Sequence, residues 1–359
     1  MLRVGLGRDQ RSATAKVELA RALDRSTAEA CTEALHLLME HRLQFVASQA
    51  IEGVGLSHKL PSPLGQDLHT AHLLLCQREG LMQAALAHVG HAFAERDLWL
   101  IACKGIVLSS DYYPARGLRP MQDIDLWVDG ERLELAKEAL NQAGFREQPE
   151  KQTDHAFYFE NAWGLSLDVH HRMALFQSQG LKLLELSRPH PHLGCRVFIP
   201  EALLVHLVVH LLGHTNRVGV LLGWIADVAL VVDAHPNMDW GKVRMLCPDK
   251  KVWNIVLRLI AFAHGENWCA LPQELQTEVS AIRPISFAAL TRIRRLAPWD
   301  LAHARGWVRL ARHMMWSSER DVDPVPAPIE LILGLRELVA ESTGVVDAES
   351  ALLTSAHHH

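Results

Sequence analysis

Two aspartates spaced two residues apart inside an apolar, strand-like run, Asp123-Ile124-Asp125-Leu126-Trp127-Val128, constrain this chain more than any other feature. Side chains two apart on a strand point the same way, so Asp123 and Asp125 share one face while Ile124, Leu126 and Val128 take the other. Adjacent carboxylates repel, and a fold tolerates them mainly where a cation sits between or in front of them. Upstream, Leu98-Trp99-Leu100-Ile101-Ala102-Cys103 has the pattern of a buried strand running into Lys104-Gly105, a tight backbone able to approach a phosphate. A glycine turn followed by a carboxylate strand points to metal-assisted chemistry on a phosphate compound.

The rest of the chain is consistent with that chemistry in a large, reduced protein. Its 359 residues, 49% of them hydrophobic, suffice for a sizeable core and two or three structural units. A net charge of −5 gives no basic excess for a general nucleic-acid-binding surface. Six scattered cysteines without a CxxC pair favour buried thiols in a cytoplasmic protein over a disulfide framework or zinc site. The N-terminal stretch lacks the apolar core of a secretory signal. The longest apolar run, Val218 to Val232, is short for a membrane span and carries Asp227, so no membrane partner is expected. His357-His358-His359 reads as part of a purification tag and enters no metal argument.

Hydrophobic periodicity divides the chain into three regions, 1–97, 98–200 and 201–356. Helical spacing dominates 13–96, interrupted by a Gly-, Ser- and Pro-rich loop at 53–65. The middle region reads as strand 98–103, helix 105–113, loop 114–121, strand 122–128 and helix 130–143. Antiparallel strands follow near 145–148, 155–160 and 164–170, with a further strand near 195–199. Helical patterns return at 201–214, 217–234, 239–247 and 251–264 and continue to about Ser342. The expected class is α+β: a small mixed sheet with helices, flanked by α-helical regions.

A third carboxylate joins the pair through Leu165-Ser166-Leu167-Asp168-Val169-His170. Alternation places Ser166, Asp168 and His170 on the polar face. With Asp123 and Asp125 on a neighbouring strand, Asp168 completes a site for two hard divalent cations such as Mg²⁺. Arg119 either binds a phosphate or neutralises the carboxylates, since both roles suit a guanidinium. Lys104, at the end of a buried strand, is expected on a phosphate, and His170 and His171 near the substrate. His206, His210 and His214 share one helical face. No Glu stands in an HExxH arrangement, so they are expected as packing or cleft-lining histidines. Asp227, inside an apolar helix, needs a partner, expected to be Arg217 or a histidine.

Lys104-Gly105, then Arg119, then Asp123-Ile124-Asp125, then Asp168-Val169-His170 resembles the uncharacterised nucleotidyltransferases of the DNA polymerase β-like superfamily. The likeness extends into His210, His214, Trp224, Asp227 and Asp239-Trp240, over roughly 95–265. The resemblance implies a minimal nucleotidyltransferase fold using two Mg²⁺ ions and a nucleoside triphosphate. Asp123, Asp125 and Asp168 are then the metal-binding and catalytic residues, with Asp168 helping to activate an acceptor hydroxyl. Lys104, Gly105, Arg119 and His170 contact the nucleotide. The acceptor is a small molecule, a protein or peptide, or an RNA end. The superfamily usually has Gly followed by Ser or Gly at the phosphate turn, where this chain has Lys104-Gly105-Ile106. That departure leaves a second reading open, a binding or regulatory module that has lost turnover.

Overall fold

The computed structural model describes residues 10–60, 62–153, 156–171, 182–218 and 221–282. The N-terminal region forms helices α1 (Gln10–Arg25), α2 (Ala28–Glu40), α3 (Gln44–Glu52) and α4 (Ser62–Ala94). Thr27 caps α2 by accepting from the Ala30 amide at 3.3 Å. The expected loop at 53–65 is shorter in the structure, because α4 already begins at Ser62 and takes Gly65 into its first turns.

A seven-stranded mixed sheet follows: β1 (Leu100–Cys103), β2 (Asp123–Val128), β3 (Phe145–Glu147), β4 (Ala156–Asn161), β5 (Ser166–His170), β6 (Ser187–Pro189) and β7 (Arg196–Phe198). Its order is β3-β4-β5-β2-β1-β7-β6. The β2–β5 and β1–β7 pairs are parallel and the others antiparallel. The antiparallel run expected from 145 to 170 is present, as is the strand near 195–199. Periodicity gives no sign of β6, three residues ending in proline.

Helices α5 (Gly105–Asp111) and α6 (Leu133–Gln142) connect the strands. The C-terminal region supplies α7 (Pro200–Val218), α8 (Leu222–Ala234), α9 (Trp240–Leu246), α10 (Lys250–Gly265) and α11 (Gln276–Ser280). Asp239 and Asp249 cap α9 and α10 by accepting from Lys242 and Val252 amides, each at 2.9 Å. The helical stretches expected between Ile282 and Ser342 lie outside the described residues. Buried apolar side chains from α1 to α11 join one cluster, in which Ile124, Leu126 and Leu167 are fully covered. Among the described residues no helix is long and apolar enough to cross a membrane.

Candidate active site

The register between β2 and β5 builds the site. Asp125 stands opposite Asp168, Asp123 opposite Ser166, and Trp127 opposite His170. The polar alternation of the two strands therefore falls on one sheet face, while Ile124, Leu126, Leu167 and Val169 enter the core. Tyr158 of β4 lies opposite Asp168 and extends the same face. His171 takes the other side: its ring lies 5.0 Å from Phe157, whose register partner is Val169.

Donor atoms of Asp125, Asp168 and His170 all lie within 4.8 Å of one another. His170 Nε2 is 3.3 Å from Asp168 Oδ2 and 3.7 Å from Asp125 Oδ1. Asp168 Oδ1 is buried and has no hydrogen-bond partner among the described residues. A buried carboxylate oxygen left this way is costly, and two carboxylates with an imidazole suit a divalent cation. The residues thus fit a metal, and the group differs from the expected three aspartates by taking in His170. Asp123, at the start of β2, is half-buried and stands outside this tight group.

Lys104 enters the same site from the end of β1. Its Nζ donates to Asp125 Oδ1, and both side chains are largely buried. The Lys104 backbone has φ 52° and ψ −122°, a conformation that glycine adopts more readily. Gly105 follows, and here the missing side chain is required. A Cβ would lie 2.8 Å from Arg119 Nη1 and 2.9 Å from Met121 Sδ.

Charges interact strongly across this face. Burial raises the Asp123 carboxyl, helped by the Asp125 and Asp168 charges, to about 6. Burial acts in the same sense on Asp125, but the Lys104 ammonium and His170 outweigh it and hold that carboxyl well below the usual range. Burial opposes protonation of His170, and hydrogen bonding to Asp125 and Asp168 overcomes it, so its pKa rises.

Arg119 donates to neither Asp123 nor Asp125. Its Nε donates to Asp227 Oδ1 at 2.9 Å and its Nη2 to Asp227 Oδ2 at 2.8 Å. The Tyr113 hydroxyl also donates to Asp227 Oδ1, at 2.9 Å. This corrects the expected partner of Asp227, because Arg119 lies within reach through folding rather than sequence proximity. The Arg119 fork ties the loop before β2 to α8, with Nη1 beside Gly105.

Two further features arise where elements far apart in the sequence pack together. An aromatic row leads from the site into the C-terminal helices: Trp127 stacks on His170 at 4.6 Å and meets His206 edge-on at 6.2 Å. His206 in turn lies 6.5 Å from His210, which is 5.9 Å from Trp224. The shared face of His206 and His210 thus packs aromatics beside the site, while the His214 side chain lies outside the described residues. Helix α4 grips the loop that carries Arg119. Buried Glu79 accepts from the Gly117 amide at 2.8 Å and the Ser109 hydroxyl at 2.7 Å, and Arg78 donates to the Gln122 carbonyl at 2.9 Å. The one hint in the sequence is Glu79 itself, an acidic residue within an apolar helix.

Comparison with known proteins places this geometry in a family. No curated protein matches the chain. Among solved structures it is similar to the antibiotic-resistance factor ANT(2'')-Ia in solution, at 18% identity and a TM-score of 0.36, covering 47% of this chain and 90% of that one. It is also similar to ANT(2'')-Ia in complex with adenylyl-2''-tobramycin, at 18% identity and a TM-score of 0.35, covering 46% and 93%. The model of a family described as uncharacterised nucleotidyltransferase matches residues 27–265, two thirds of the 359. That span contains the whole sheet, the Asp125–Asp168–His170 group, Lys104 and the Arg119–Asp227 pair, and the chain belongs to the uncharacterised nucleotidyltransferase family.

Proposed function

We propose that this nucleotidyltransferase is Mg²⁺-dependent and moves an NMP group from an NTP to a hydroxyl-bearing acceptor. The acceptor class is a small molecule, a protein or peptide side chain, or an RNA end. The observation that carries the reading is the buried, partnerless Oδ1 of Asp168 within the Asp125–Asp168–His170 group, on a sheet face shared with Asp123. Asp125 and Asp168 would hold the metal, with Asp123 on its nucleotide side. A bound divalent ion supplies charge neutralisation on the transferring phosphoryl group.

The chain's own residues supply the positioning. Gly105, lacking a side chain, lets Arg119 Nη1 and Met121 pack against the turn, and Nη1 is the guanidinium nitrogen that Asp227 does not engage, which suits it to a phosphate oxygen. Asp168 takes the proton of the acceptor hydroxyl as its oxygen attacks the α-phosphorus, and pyrophosphate leaves. The acceptor cleft is assigned to the junction of the catalytic sheet with the helical regions on both sides of it, the kind of place that ligand sites favour.

The test is incubation with α-labelled NTPs, Mg²⁺ and a panel of acceptors or cell extract, reading labelled acceptor and released pyrophosphate. Label transfer that is lost in Asp125→Asn and Asp168→Asn supports the reading. NTP binding without pyrophosphate release across the panel would leave a binding module instead.

A further inference from the structure

We infer that this active site works with one divalent ion, the Lys104 ammonium standing where a second cation would be needed. The inference rests on the metal-dependent reading above and changes its ion count, since the resemblance implies two. A two-ion site holds its ions about 3.5–4 Å apart. At that spacing, carboxylates commonly give one oxygen to each ion. In this sheet Asp125 is the carboxylate placed to do so: it is the register partner of Asp168 and lies two residues along the strand from Asp123. Its Oδ1 is already committed, accepting from Lys104 Nζ.

Two observations hold Lys104 there, and two more describe the carboxylates around it. The Lys104 side chain is only 11% exposed, so leaving Asp125 would strand an ammonium in a largely covered site. Its backbone holds a positive φ of 52°, a conformation costly for a non-glycine residue that persists where surrounding structure enforces it. The open donor is Asp168 Oδ1, and the tight donor group around it holds only Asp125, Asp168 and His170 among the described residues. Asp123 faces Ser166 across the strand pair and so gains no second carboxylate from β5.

Lys104 is therefore a permanent cation of the site, and it frees the enzyme from needing a second metal.

The experiment is Mn²⁺ titration of the full chain with the α,β-methylene analogue of ATP, followed by equilibrium binding and electron paramagnetic resonance. The expected result is one bound Mn²⁺ per chain with the spectrum of an isolated ion. In Lys104→Met the stoichiometry should rise to two and the spectrum should show coupling between neighbouring Mn²⁺ ions. Two coupled ions in the wild-type protein overturn the inference and leave the metal-dependent function standing, and this measurement decides the matter even where the variant does not fold. A folded Lys104→Met chain that still takes one ion also overturns it. Mn²⁺ binding that survives Asp168→Asn unchanged would instead overturn the metal assignment beneath it.

Discussion

Arg119 and Asp227, 108 residues apart in the chain, meet in a two-bonded fork with nitrogen–oxygen distances of 2.9 and 2.8 Å. Asp227 is 2% exposed and also accepts from Tyr113, so this pair is a buried joint between the loop before β2 and helix α8. Asp227→Ala leaves a guanidinium and a phenol without their acceptor. The expected loss is about 3–5 kcal/mol of folding stability. Urea denaturation measures it, and the apolar double variant Arg119→Met/Asp227→Leu should recover roughly half or more of that loss. A single variant as stable as the wild type would contradict the joint.

Asp168→Asn separates chemistry from folding. Transfer should fall by about 10²–10³ or more, the scale seen when one charge-stabilising group is removed from an active site. Folding stability should change little, because Asp168 Oδ1 has no hydrogen bond to lose and the eased repulsion with Asp125 offsets the weakened contact of Oδ2 with His170. Pyrophosphate release and thermal melting in EDTA read the two effects. A variant that melts well below the parent would show a structural role instead.

Gly105→Ala places a Cβ 2.8 Å from Arg119 Nη1, and Asp227 prevents that guanidinium from swinging freely aside. A loss of about 1–3 kcal/mol is expected from overpacking. The KM for NTP should rise as Arg119 is pushed from its place. Unchanged steady-state kinetics in the folded variant would remove Gly105 from the nucleotide site.

His206 makes stability depend on pH in a calculable sense. Burial first, then the positive charges of Lys104 and His170, push its imidazole down to about 3. In the unfolded chain it titrates near 6.5, so below that pH the unfolded state takes up a proton that the folded state refuses. Its contribution is therefore full above pH 6.5 and is lost progressively as pH falls toward 3. His206→Gln should flatten the stability profile between about pH 6 and 4 in urea unfolding at stepped pH. An identical slope in both proteins would count against a buried neutral histidine.

What the sequence displays is whatever has a short period. Alternation in β2 and β5 is enough by itself to put Asp123, Asp125, Asp168 and His170 on one face. The helices of the C-terminal region follow from their apolar spacing. The closeness of His170 to the two carboxylates is less legible, because its distance to Asp168 depends on a rotamer and on Trp127 stacking beneath it. Asp227 announces only that it needs a partner. Nothing local identifies Arg119, or links Glu79 of α4 to the Gly117 amide, since those contacts arise when elements far apart in sequence pack together. β6 is too short for any periodicity to show.

The parallel pairing of β2 with β5 also dictates where this chain can change length. Asp125 and Asp168 face each other because both strands keep step. One added or deleted residue within either strand would rotate a carboxylate into the apolar layer and bring a leucine to the face that carries the carboxylates. Between the strands, β3, β4 and their turns form an excursion that meets β5 only along its far edge. Extra residues at its exposed turn beside Trp163 would leave the alignment untouched. The same fold therefore offers a site that tolerates no slippage and, a few residues away, a port for inserted peptide.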